Sequence, residues 1–322
     1  MYFFKGWKLL VHFSKAGNLR YNIMKIDFVD AKGILVRNKS PENWFGVHYN
    51  TNIYRGCQHN CIYCDSRSEC YQIQEFENLI VKRNAPQLLD EALAGRRKKV
   101  TISNGSRSDP YIPAEKNLCL TQKILEIIIK YKYPFNIVTK SDLILRDIEL
   151  LKEINKVFLS VNFTITTTDY DLARLIEPNA PSPIRRIHAI EKLAKENIYT
   201  GVLFQPILPY LLDTEKNIDE TVYQVAKAGA KYIIPWFAVT TRKGQKEYFL
   251  DKLEKIKPGL KAVYLQKFRD QYMCYSEQND ELYNYFESRC KKHKIDYKMS
   301  DIMNYGKINP YKQTTLFDIV ES

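Results

Sequence analysis

Hydrophobic positions recur along this chain in two alternating rhythms. Short runs dominated by apolar residues read as strands: His48–Tyr54, Lys99–Ser103, Phe135–Thr139, Val157–Ile165, Tyr199–Gln205 and Tyr232–Val239. Between them, apolar residues spaced three or four apart predict helices over Leu88–Ala94, Leu118–Tyr131, Ile144–Ile154, Tyr170–Leu175, Ile184–Glu196 and Ile218–Ala228. The punctuation agrees. Gly95 and Gly229 follow helices, Pro134 breaks one, and Pro183 suits the first turn of the next. Six strands alternating with helices predict βαβ units, an α/β fold class and a parallel sheet. From Thr240 the pattern changes. Phe249–Ile256 and Tyr283–Lys292 read as amphipathic helices, and Leu260–Tyr264 as a short strand or loop. No Gly/Ser-rich linker intervenes, so this region is expected to pack on the sheet.

Parallel α/β folds carry their chemistry on the loops after the strands. Here those loops hold Cys57, Cys61 and Cys64, then Asn104–Asp109, Lys140, Ser160–Thr166, Gln205 and Trp236. The cysteines have C-x3-C-x2-C spacing, and three thiolates on one short loop can bind three irons of a [4Fe–4S] cluster. No fourth cysteine follows at ferredoxin spacing, which leaves one iron open for a ligand, as catalytic metal sites leave a position open. A zinc loop completed by His59 or Cys70 remains an alternative, as does an electron-transfer iron–sulfur protein.

Composition narrows the setting. The chain has 322 residues, 45% of them hydrophobic, enough for one large domain or two smaller ones. Seven cysteines, an odd number with three inside eight residues, argue for a reducing compartment rather than a disulfide framework, hence a cytoplasmic location. No run approaches the ~18 apolar residues of a bilayer span. The apolar Met1–Phe13 is interrupted by Lys5 and Lys8 and lacks a small-residue cleavage site. Met24 is a second plausible start, so residues 1–30 are expected to be an extension outside the fold. The net charge of +12 is concentrated toward the two ends of the sequence. Such charge suits a nucleic-acid binder and equally a Lys-rich protein that binds nothing acidic. Twenty-three tyrosines offer stacking surface for bases.

The cysteine loop and its surroundings resemble the radical S-adenosylmethionine (SAM) superfamily, and more narrowly its spore photoproduct lyase-like branch, related to DNA repair photolyases. The likeness rests on Tyr54-Arg55-Gly56-Cys57-Gln58-His59-Asn60-Cys61-Ile62-Tyr63-Cys64 and on Ser108-Asp109-Pro110-Tyr111-Ile112-Pro113-Ala114-Glu115. It continues through Val138-Thr139-Lys140-Ser141, Leu145-Arg146-Asp147, Glu177-Pro178, Arg185-Arg186 and Gln205-Pro206-Ile207. The resemblance implies a partial (β/α)6 TIM-like barrel of parallel strands over residues 31–240, with a C-terminal α-rich extension over 241–322. It implies that Cys57, Cys61 and Cys64 ligate a [4Fe–4S] cluster whose open iron binds SAM. Reductive cleavage of SAM would then yield a radical that abstracts hydrogen from substrate. It further implies an electron donor such as flavodoxin or ferredoxin, and admits a nucleic-acid substrate.

On this reading Tyr63 packs near the adenine and Lys140 pairs with the SAM carboxylate, while Ser160 or Asn162 bonds the ribose or methionyl group. Gln205 contacts SAM or substrate, and Asp109 lies beside the cofactor. The plainer alternatives are core packing for Tyr63, bonds to neighbouring strands for Ser160 and Asn162, and an Asp-Pro turn for Asp109. No catalytic residue is singled out. The resemblance departs at one loop. The lesion-splitting lyases place a hydrogen-donating cysteine after the second strand, where this chain reads Ser103-Asn104-Gly105-Ser106-Arg107-Ser108-Asp109. Cys119 comes later, at the start of a helix, and reads as core. This argues against thymine-dimer repair itself.

Overall fold

The computed structural model describes residues 25–308 except 74, 75 and 77. The Met24 start, residues 1–24 and the C-terminal tail from Gln313 lie outside the described residues. The strands are β1 (Ile26–Val29), β2 (Leu35–Arg37), β3 (Val47–Thr51), β4 (Tyr54–Arg55), β5 (Leu79–Lys82), β6 (Thr101–Asn104), β7 (Phe135–Thr139), β8 (Leu159–Thr164), β9 (Tyr199–Phe204), β10 (Tyr232–Pro235), β11 (Ala238–Thr240) and β12 (Met273–Tyr275). The helices are α1 (Ala85–Ala94), α2 (Glu115–Leu118), α3 (Leu120–Tyr131), α4 (Ile148–Asn155), α5 (Tyr170–Ile176), α6 (Pro183–Lys195), α7 (Glu215–Lys227), α8 (Gln245–Ile256), α9 (Leu260–Phe268), α10 (Asn279–His293) and α11 (Met299–Ile308).

Among the described residues, β10-β9-β8-β7-β6-β3-β2 form one sheet in that spatial order. The six strands expected from the sequence, β3 and β6–β10, are all parallel, and β2 adds an antiparallel edge. This is the partial (β/α)6 barrel. Its central strands β8 and β9 are buried throughout, as in a sheet covered by helices. The sheet stays open between its edge strands β2 and β10, and aromatic residues link the segment before β3 to β10 at the end where the parallel strands begin. Phe45, just before β3, packs on Tyr232 with ring centroids 5.7 Å apart, and Tyr232 packs on Tyr199 at 4.9 Å. Ile302 of α11 is buried with them.

Several expectations are corrected. Ile26–Val29 pairs in parallel with β5, so these residues belong to the fold rather than to an extension reaching residue 30. A four-residue strand is too short to show a period. The run His48–Tyr54 breaks at Asn52, whose buried side chain accepts from the Arg107 amide at 3.2 Å. Tyr54 and Arg55 then pair with β5 in a separate small sheet. The run Tyr232–Val239 divides likewise into β10 and β11, and β11 pairs with β12. Leu260–Tyr264 is helical: Leu260, Tyr264 and Phe268 are buried at four-residue spacing, a stripe masked in sequence by the apolar Val263 and Leu265 between them. The helix expected from Ile144 begins as a 3-10 turn over Asp142–Asp147 and is α-helical only from Ile148.

In the C-terminal part, α10 contacts the barrel helix α7. The Tyr285 hydroxyl donates to Asp219 of α7 at 2.8 Å, and Arg289 pairs with the same carboxylate. No helix among the described residues is long and apolar enough to cross a membrane.

Candidate active site

Gly56 turns the chain out of β4 with φ +80°; a Cβ there would lie 2.5 Å from the Asn78 carbonyl, so only glycine fits. The cysteine loop that follows is held from two sides. On the barrel side, the Ile62 amide donates to Ile176 at 2.9 Å, and the Asn179 amide donates to His59 at 3.2 Å. On the other side, Gln245 of α8 donates to the Tyr63 carbonyl at 3.3 Å, and the Glu69 amide donates to Lys243 at 3.1 Å. Asp65, directly after the third cysteine, accepts from Thr240 at 3.2 Å and Tyr71 at 3.0 Å.

Beneath the loop lies a buried polar cluster. The Tyr63 hydroxyl donates to Glu177, and Arg186 pairs with the same carboxylate at 2.5 Å. Arg186 also donates to the carbonyls of Pro181 at 2.8 Å and Thr164 at 2.9 Å, so each of its three guanidinium nitrogens has a partner. Burial alone would raise the Glu177 carboxyl; the Arg186 and Lys140 charges outweigh it and hold it below the usual carboxylate range. Lys140 Nζ lies 5.7 Å from the Tyr63 ring centroid. Burial opposes its charge, but Cys61 and Glu177 more than compensate, so its pKa is raised.

Cys57, Cys61 and Cys64 line one cavity of about 470 Å³ at the mouth of the barrel, and none is in a disulfide. Burial pushes the Cys61 and Cys64 thiols up. It acts on Cys57 too, but the His59 imidazolium outweighs it and the Cys57 pKa is lowered. Burial would also lower His59; Asp109, 3.3 Å from Nδ1, and the Cys57 thiolate outweigh it and push His59 up to about 9. Asp109 is a junction. Besides His59 it accepts from the Lys140 amide at 2.6 Å, Thr139 Oγ1 at 2.7 Å and the Tyr111 amide at 2.8 Å. It thus shapes the turn and ties the loop after β6 to the end of β7. Gly105, with φ +101°, lets that loop cross the strand: a Cβ would meet the Val138 carbonyl at 2.0 Å.

Of the residues singled out from sequence, Tyr63, Asp109, Lys140 and Gln205 line the cavity with the three cysteines. Ser160 and Asn162 do not, which corrects their expected contact with a cofactor. They share a face of β8 with Thr164, and only Thr164, nearest the strand end, reaches the cavity. Below it the polar side chains satisfy one another across strands. Ser103 Oγ donates to Asn136 Oδ1 at 2.9 Å, and Asn136 Nδ2 donates to Ser160 Oγ at 2.6 Å. Asn162 donates to the Ile137 carbonyl at 3.2 Å and accepts from the Tyr232 hydroxyl at 2.6 Å. Ser160→Ala should therefore cost about 1–3 kcal/mol in urea unfolding, by leaving Asn136 without its acceptor, and leave the SAM dissociation constant unchanged. A tenfold weaker SAM affinity would restore Ser160 to the site.

Apart from the zinc alternative for His59, sequence reasoning did not assign His59, Glu177, Arg186 or Trp44 to the site. The first three lie inside stretches already quoted for the resemblance, so the signal was present. Trp44 lines the cavity from ahead of β3 and carried none.

The sequence profile of the radical SAM superfamily matches residues 51–222, which run from the end of β3 into α7. The chain belongs to the radical SAM superfamily. Membership makes it an enzyme, and the family implies SAM and an iron–sulfur cluster as cofactors. Relatives extend the match. An uncharacterized protein of Methanocaldococcus jannaschii is 37% identical over 207 residues, covering 63% of this chain and 74% of that one. An uncharacterized protein of Mycobacterium tuberculosis is 29% identical over 232 residues, covering 69% and 67%. Among solved structures, spore photoproduct lyase complexed with dinucleoside spore photoproduct aligns with a TM-score of 0.62 at 16% identity, over 83% of this chain and 79% of that one. That likeness establishes the shared fold. The donor set fits a radical SAM site: three free thiols, a cation and an aromatic ring meet in one cavity.

Proposed function

We propose that this protein is a radical SAM enzyme that holds a [4Fe–4S] cluster through Cys57, Cys61 and Cys64 and acts on a nucleic-acid substrate. The observation that carries the reading is the meeting of those three thiols with Lys140 and Tyr63 at one barrel mouth. When bound, the reduced cluster and SAM would supply the carbon radical that abstracts hydrogen. The chain's own part is to bind, orient and enclose. Lys140 is a cation for the SAM carboxylate, and Asp109 fixes the backbone that presents it. Tyr63, tethered by Glu177, gives an apolar face for the adenine, and Gln205 offers polar contacts from the end of β9. The apolar Leu203, Val138 and Val239 on the cavity wall keep water and stray hydrogen donors from the reacting centre. Residues 26–240 form the catalytic barrel, and the extension from residue 241 closes the cysteine loop. A flavodoxin- or ferredoxin-type protein is the expected reductant.

A single zinc ion is the weaker reading. Among the described residues no three His, Cys, Asp or Glu side chains converge as one ion requires, although three cysteines share a cavity. For the substrate, support comes from the +12 charge, from Trp44, Tyr71 and Trp236 in the cavity wall, and from the shared fold with a lyase solved with a dinucleoside lesion. Thymine-dimer repair is not included: no cysteine stands in the loop after β6, and Cys119 is not in the cavity wall.

Anaerobically reconstituted protein should be brown and cleave SAM to 5′-deoxyadenosine after reduction. Deuterium should exchange between SAM and a nucleic-acid pool. Colourless protein with one tightly held zinc would refute the cluster. Cleavage with transfer only to peptide or small-molecule pools would refute the substrate class.

A further inference from the structure

We propose that Arg55, Lys82 and Arg107 form an anion subsite on the rim of the cavity, where a phosphate group of the substrate is held. The inference rests on the nucleic-acid reading and gives it a location. Arg55 ends β4 and Lys82 ends β5. The strands are antiparallel with Arg55 opposite Ile80, and side chains two apart share a face, so Arg55 and Lys82 project to the same side. Arg107 comes to them from the loop after β6. Its amide is held by Asn52, and its carbonyl accepts from Ser66 at 2.9 Å.

Tyr71 joins the patch to the cavity. Its carbonyl accepts from Arg55 Nη2 at 3.0 Å, the Arg107 guanidinium lies 5.0 Å from its ring centroid, and both Tyr71 and Arg107 line the cavity.

What sets these three cations apart is the lack of an anion. Neighbouring cations are paired: Arg83 with Asp30 at 2.5 Å, Arg242 with Asp65 at 3.4 Å and Lys243 with Glu69 at 3.1 Å. Among the described residues none of Arg55, Lys82 and Arg107 has a carboxylate within ion-pair distance. They also repel one another. The pKa of half-buried Lys82 is lowered by burial first and then by both guanidinium groups. Three like charges gathered without a counter-ion are costly in the free protein and become favourable when an anion arrives. Two guanidinium forks and an ammonium suit phosphate oxygens. The position is specific as well. The other basic run, Arg96–Lys99, lies between α1 and the start of β6, at the far end of the sheet from the cavity.

A nucleic-acid backbone and a free nucleotide would both bring such a phosphate, and the test separates them. Binding of the full-length holoprotein is measured by fluorescence anisotropy with a labelled 12-nucleotide single strand, with a nucleoside monophosphate and inorganic phosphate as competitors. Arg55→Glu, Lys82→Glu and Arg107→Glu should each weaken the strand at least tenfold, and Lys98→Glu, with the same change of charge, less than twofold. The milder Arg55→Gln and Lys82→Gln guard against misfolding and should each flatten the salt dependence by about 0.7 in log–log slope. Competition by the monophosphate at micromolar concentration would identify the free nucleotide as the source; competition only at millimolar concentration would identify the backbone. Equal losses at Lys98 and Arg55, or no binding of any probe at low salt, would overturn the subsite. Iron content and SAM cleavage of the wild type are read separately, so loss of the cluster reading and loss of the subsite are distinguishable outcomes.

Discussion

Cys61→Ala should yield a reconstituted protein without the brown colour and without detectable SAM cleavage, against about four irons per chain in the wild type. The expectation is strongest at this cysteine because of where it lies. Cys61 is 6% exposed at the base of the loop, and burial together with nearby Glu177 raises its thiol pKa. A thiol held protonated in the free protein must give up its proton to the metal, so iron uptake at Cys61 releases a proton. Lys140, whose charge opposes that rise, is the nearby cation that makes the thiolate tolerable. Iron analysis and the visible spectrum after anaerobic reconstitution read the outcome. Unchanged iron content in the variant would remove Cys61 from the ligand set.

The second large effect is expected at the cluster beneath the loop. Arg186→Ala should destabilise the protein by about 3–5 kcal/mol in urea unfolding, since it leaves Glu177 charged and buried without its partner. Both side chains of the pair are 1% exposed. The loss should also reach the cofactor, because Glu177 anchors Tyr63 and Tyr63 precedes Cys64; the variant is expected to take up less iron. The double variant Glu177→Leu/Arg186→Met removes both charges at similar volume and should recover much of the stability. It should not recover iron loading, since with Glu177 replaced Tyr63 loses its acceptor. A single variant as stable as wild type would mean that water reaches Glu177 and that the pair is not the support described above.

The parallel barrel was legible because its strands and helices differ so plainly in period. Phe135–Thr139 is reproduced residue for residue as β7, and the helix read from Tyr170 begins there as α5. What escaped was structure decided by distant partners. β1 and β5 are four-residue strands, and their pairing joins segments about fifty positions apart, which no local pattern encodes. The cysteines, Tyr63, Asp109, Lys140 and Gln205 share one cavity because strand-end loops converge in this fold. Ser160 and Asn162 were misplaced because sequence shows which face of a strand a residue occupies but not how deep in the barrel it lies. The interstrand bonds to Asn136 and Tyr232 decide that depth. Trp44 is the converse case, brought to the cavity from ahead of the first barrel strand by packing alone.

The two-sided grip on the cysteine loop has a consequence for how the protein is made. Tyr63 and its partner Gln245 are 182 positions apart, and Asp65 and Thr240 are 175 apart. At about 5–20 residues per second, the ribosome delivers the thiols roughly 10–40 s before the segment that closes over them. Through that interval three neighbouring cysteines are present with nothing folded on their outer side. The closed site exists only once residue 245 has been synthesised, and an oxidant that arrives earlier meets the thiols before their cover does.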